Sequence, residues 1–141
     1  MSYFRILFLV ITVCIVSCHH KHGMSGDQSN PLYDEVMKVH DEIMPEMKTL
    51  HKNKKFLKSW KEDHSLSQTE QAKIDSLIIL IDAADEGMMS WMHNFSVPED
   101  SLLIEKYLLE EKAKVDKVSS DMKRAIETSN AFIQNAKPVE K

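Results

Sequence analysis

Glycine and cysteine are scarce in these 141 residues: three glycines and two cysteines, with only Gly87 and no cysteine after position 30. So few glycines leave no glycine-rich phosphate loop, and neither a nucleophile elbow nor a zinc-protease helix motif occurs. With no thiol after Cys18, the rest of the chain has to hold together by packing. Basic residues are outnumbered, 18 Lys and Arg against 22 Asp and Glu, for a net charge of −4. That balance argues against nucleic acid, whose phosphates require basic neutralisation. No segment alternates with period two, so no strand is expected. Long apolar runs are missing too, except for one near the start.

That exception is residues 6–16, ILFLVITVCIV, preceded by a single positive charge at Arg5. It has the length of a signal-peptide core and is too short for a stable bilayer span of roughly 20 residues. It ends in Ile15-Val16-Ser17-Cys18, which resembles the lipobox of bacterial lipoproteins. The resemblance implies a signal peptide over 1–17, cleavage before Cys18, and acylation of its thiol and new amino group. An ordinary signal peptide or short anchor helix with an incidental cysteine is the alternative. Cleavage removes only Arg5 from the charged residues, leaving 17 basic against 22 acidic, or −5. Such a surface offers nothing to anionic headgroups, so the acyl chains would do the anchoring. After Cys18 comes HHKHGMSGDQSN, a polar stretch that makes 18–30 a flexible tether reaching at most about 40 Å. His19, His20 and His22 read either as metal ligands or as a solvated leash.

From 31 to 137 the chain reads as one small all-α domain, an antiparallel up-down-up three-helix bundle. Helix one is expected over 31–60, with Asn30 as cap and Pro31 in the first turn. At 100° per residue, Leu32, Val36, Val39, His40, Ile43, Met47 and Leu50 share a face, with Met37, Met44 and His51 beside it. Pro45 falls on the opposite side, where the carbonyl of Asp41 that it frees can meet water, so a tolerated kink is expected. Ser67 with Glu70 forms a capping box that opens helix two, expected over 68–95. Its face carries Ile74, Leu77, Ile78, Ile81, Met88, Met89, Met92 and Phe95, with Trp91 at the edge and Gly87 pointing away. Ser96 to Glu99 caps a longer third helix over 97–136, which is expected to cover Leu66 and Trp60. Its stripe is Ile104, Tyr107, Leu108, Val115, Val118, Met122, Ala125, Ile126 and Ile133.

Each stripe contains an ionisable residue: His40, Asp85 and Glu111. Antiparallel pairing about turns at 61–66 and near 97 brings the three to one level, with Tyr107 near enough to donate its hydroxyl. A buried carboxylate must be paired, so a His40–Asp85 hydrogen bond is expected, with Glu111 close by. This layer reads either as a device that sets helix register or as a first-row metal site of one imidazole and two carboxylates. The Glu-x-x-His pairs of di-iron bundles are missing. Met37, Met44 and Met47 with Met88, Met89 and Met92, aided by His51 and His93, also read two ways. They are flexible core filler or thioether ligands for copper(I).

His40-Asp41-Glu42-x-Met44-Pro45-x-Met47, taken with Met88-Met89-x-Trp91-Met92-x-x-Phe95, resembles small helical lipoproteins of Bacteroidota often labelled "viral A-type inclusion protein". The likeness covers roughly residues 32–118 together with the lipobox. It implies a lipid-anchored envelope protein and assigns no activity. The tether lacks the acidic run that resembles a surface-export signal in these bacteria, which favours an outer-membrane anchor with the domain facing the periplasm.

An enzyme is not expected: with Cys18 acylated no cysteine nucleophile remains, and no serine completes His40 and Asp85. The leading expectation is a non-enzymatic interaction or structural module, pairing with another protein or a second copy through an apolar groove. Envelope metal handling is the alternative, and no other cofactor is expected.

Overall fold

The computed structural model describes residues 30–136. The expectations for the signal peptide, for Cys18 and its lipid, and for the histidines at 19, 20 and 22 lie outside the described residues. Within them every regular element is helical: α1 (Pro31–Ile43), a 3₁₀ turn (Met44–Glu46), α2 (Met47–Asp63), α3 (Gln68–Asn94) and α4 (Ser101–Ala136). None is long and apolar enough to cross a membrane. α1, the turn and α2 form one continuous arm, so three helical arms share a core.

Local chemistry explains where the arms begin and change. Asn30 accepts from the Leu32 amide at 2.9 Å, and Pro31 fills the first turn, where its missing N–H is no loss. At Pro45 an α-helical bond back to Asp41 is impossible. The backbone tightens into an exposed 3₁₀ turn in which the Met47 amide bonds the Met44 carbonyl, and α2 then resumes. α3 opens on the capping box: the Ser67 hydroxyl accepts from the Glu70 amide, and the Glu70 carboxylate accepts from the Ser67 amide at 2.8 Å.

Two boundaries differ from expectation, and both differences matter later. α2 runs past Trp60 to Asp63. Lys61, expected in a turn, holds Asp75 of α3 at 2.6 and 2.8 Å. His64 stacks on Trp60 at 3.7 Å between ring centres and donates Nδ1–H to the Trp60 carbonyl, satisfying one of the helix's last acceptors. α4 starts at Ser101 rather than 97, because Asp100 supplies the cap by accepting from the Leu102 amide at 3.0 Å. Ser96 instead donates its amide to the Tyr107 hydroxyl at 2.6 Å, tying the connection to α4.

The core repeats by sevens. Val36, Ile43, Leu50 and Leu57 are all buried, so the spacing survives the 3₁₀ turn. α3 contributes Ile74, Leu77, Ile81, Ala84, Met88 and Trp91, alternating by three and four. α4 contributes Leu108, Val115, Met122, Ala125 and Ile126. Trp60 and Leu66 are half-buried against this core. Gly87 does not face away: a Cβ there would meet Val118 of α4 at an ordinary 3.9 Å, and α3 continues through it unbroken.

Candidate functional site

Polar groups interrupt the α4 seam at Glu111, Ser119 and Ser129, each buried at a position the heptad would give to an apolar residue. Two of the three are anchored across the interior. Glu111 is 3% exposed; one carboxylate oxygen accepts from the Trp91 indole N–H at 2.8 Å, the other from Lys114 at 2.7 Å. That hydrogen bond and the negative charge raise the Lys114 pKa above the usual lysine range. Nearer the other end of α4, buried Asn53 of α2 donates to the Ser129 hydroxyl at 2.8 Å and to Asn130 at 2.9 Å. Ser129 in turn donates to the Ala125 carbonyl at 2.7 Å.

The expected level of His40, Asp85 and Glu111 is redistributed. His40 does not bond Asp85; its Nδ1 lies 2.8 Å from Asp41 and its Nε2 lies 3.3 Å from the Met92 sulfur. Asp85 meets His51 instead, at 3.2 Å on the surface. The cause is the later boundary of α2. Moving the first connection to 64–67 shifts the level opposite His40 by roughly one helical turn, from 87 to Trp91 and Met92. Across the second connection Glu111 faces Trp91 rather than Asp85, a displacement in the same sense. His40 still reaches Glu111 indirectly, because its ring lies 5.6 Å from that of Trp91. Tyr107 packs at 5.9 Å from Phe95 and accepts from the Ser96 amide. Burial raises its pKa, the Ser96 hydrogen bond lowers it, and the Glu111 charge adds to the rise.

The methionines divide. Met88 is fully buried, Met44, Met47 and Met92 are half-buried against the core, and Met89 is 52% exposed rather than facing inward. Among the described residues no three His, Cys, Asp or Glu side chains lie close enough to share a metal ion, so the imidazole-and-two-carboxylate arrangement is not assembled. A surface depression of about 530 Å³ between α1 and α4 is lined chiefly by Glu42, Asp116, Ser119, Ser120, Lys123, Arg124 and Glu127. Its serines have no histidine among those neighbours to activate them.

Sequence reasoning missed Asn53 and the Trp91–Glu111 bond. Asn53 sits among the lysines of α2, and its only signal is its place between Leu50 and Leu57 in the sevenfold spacing. Trp91 falls at the edge of a helical wheel but on a seam position of the three-and-four pattern. Compared with protein-family profiles, curated proteins and solved structures, the chain matches none.

Proposed function

We propose that this chain is a lipid-anchored, non-enzymatic helical module of a bacterial cell envelope that works by contact with another protein. In this reading Cys18 carries the acyl chains, residues 18–30 are the tether, and the domain faces the periplasm from the outer membrane. The resemblance to small helical lipoproteins of Bacteroidota favours that location. The arms run up-down-up, with the first kinked at Pro45. Support comes from the pairs His51–Asp85, Lys54–Asp82 and Lys61–Asp75, in which one number falls as the other rises.

The contact reading rests on one observation. Leu102 and Leu109 are 87% and 53% exposed, two turns apart on the same side of α4, with exposed Leu103 beside them. Single exposed apolar residues are ordinary. Leucines separated by seven on a solvated helix face form the start of a seam that another helix can complete. A photo-cross-linking residue placed at Leu102 or Leu109 in cells is expected to give a discrete adduct with a partner or a second copy, and one placed at Glu127 none. Absence of adducts at both leucines, with a monomer by light scattering at high concentration, would refute the reading.

A further inference from the structure

The contact between His40 and Met92 poses a lone-pair problem. Asp41 offers Nδ1 only an oxygen acceptor at 2.8 Å, so Nδ1 carries the ring hydrogen. In the neutral imidazole, Nε2 then presents a lone pair, and 3.3 Å away it faces a thioether sulfur, which also has lone pairs. Two donors aimed at each other want a shared acceptor. We infer that His40 Nε2 and Met92 Sδ are the nucleus of a binding site for a soft monovalent metal ion of the copper(I) class. This goes beyond the contact function proposed above.

Three further features favour this ion. An ion placed about 2.0 Å from nitrogen and about 2.3 Å from sulfur, the lengths of zinc–imidazole and zinc–thiolate bonds, sees the two donors at an angle of about 100°. That leaves room for more ligands, and the next thioethers along the same two faces are Met44, one turn after His40, and buried Met88, one turn before Met92. Thioether sulfur selects copper(I) over harder divalent ions. The oxygen-rich groupings that harder ions prefer are not gathered among the described residues. The Nδ1–H···carboxylate bond of His40 is the outer contact that typically orients a metal-binding histidine. The His40 side chain is 17% exposed, so the site is sheltered yet open to an entering ion.

Trp91 provides the readout, because its ring lies 5.6 Å from that of His40. Silver(I), a redox-stable probe for copper(I), is titrated into the full-length chain in detergent and chloride-free buffer. Trp60→Phe leaves Trp91 as the only emitting tryptophan. The tether histidines are present in every variant, so they cancel in the comparison. Saturable quenching of Trp91 is expected, with the apparent Kd weakened at least tenfold by Met92→Leu and by His40→Gln. Met92→Leu conserves volume, and His40→Gln changes a partly buried position; circular dichroism verifies that each is folded. Absence of quenching overturns the site, as does a loss of affinity below tenfold in either folded variant. The second result would mean that the quenching ion is held elsewhere on the chain.

Discussion

The indole N–H of Trp91 donates to the carboxylate of Glu111 at 2.8 Å, and both residues are buried. Trp91→Phe keeps most of the ring but removes the donor, leaving one oxygen of a buried carboxylate without its bond. A loss of about 1–3 kcal/mol in urea unfolding is expected. Glu111→Gln should cost less, since an amide oxygen still accepts from Trp91 and the forfeited Lys114 contact lies at the surface. Asn53→Ala removes one buried and one part-buried bond and opens a small void, so its melting temperature falls further than that of Lys52→Ala, which lies exposed on the same helix. The same residues set an alkaline limit. The folded state holds the Tyr107 and Lys114 protons more tightly than the unfolded chain does. Their contribution is therefore complete below about pH 10 and is lost as pH rises through the raised values. Thermal melts from pH 8 upward would show this loss, with Tyr107→Phe removing the tyrosine part.

At the scale of elements, end groups and backbone freedom decide the outcome. The hydrogen bonds from Ser67 lower the Glu70 pKa in the folded state. An Asp or Glu whose folded pKa is depressed stabilises above its unfolded value, and the effect is lost as pH falls through the folded one. Helix α3 is thus expected to fray from its start in acid, seen as lower amide protection factors over residues 68–72 below about pH 4; Ser67→Ala should produce the same fraying at neutral pH. Gly87→Ala should act in the opposite direction. The added methyl fits at 3.9 Å from Val118, and the glycine has no positive φ to defend. A gain of up to about 1 kcal/mol is expected, readable as a melting temperature several degrees higher. Asp100→Ala removes the cap of α4 and should cost about 0.5–2 kcal/mol.

At the scale of the whole molecule, stability and contact use different residues. The seams that close the core are buried, whereas Leu102 and Leu109 lie outside them. Leu102→Lys combined with Leu109→Lys is therefore expected to leave the melting temperature within about 1–2 °C, since surface changes away from caps and pairs are nearly neutral. The same double substitution should abolish the cross-linked adduct at neighbouring Leu103. A large drop in stability would instead make these leucines part of the fold.

Much of this could be read from the letters. Helix type, the Asn30 cap, the Ser67–Glu70 box and the apolar faces depend on neighbours within about four residues, and such local chemistry is written along the chain. Pairing between arms depends on where each helix stops, and that is settled by competition. His64 extends α2 by binding back to Trp60, and Asp100 displaces Ser96 as the cap of α4. Each choice moves a boundary by only a few residues, but facing residues are counted across the connection, so every pair beyond it moves with the boundary. At the first connection a shift of about one turn takes His40 from Asp85 to Met92, and across the second Glu111 meets Trp91. Which residues lie inward was thus determined by sequence periodicity, whereas which of them meet was decided only when the arms packed.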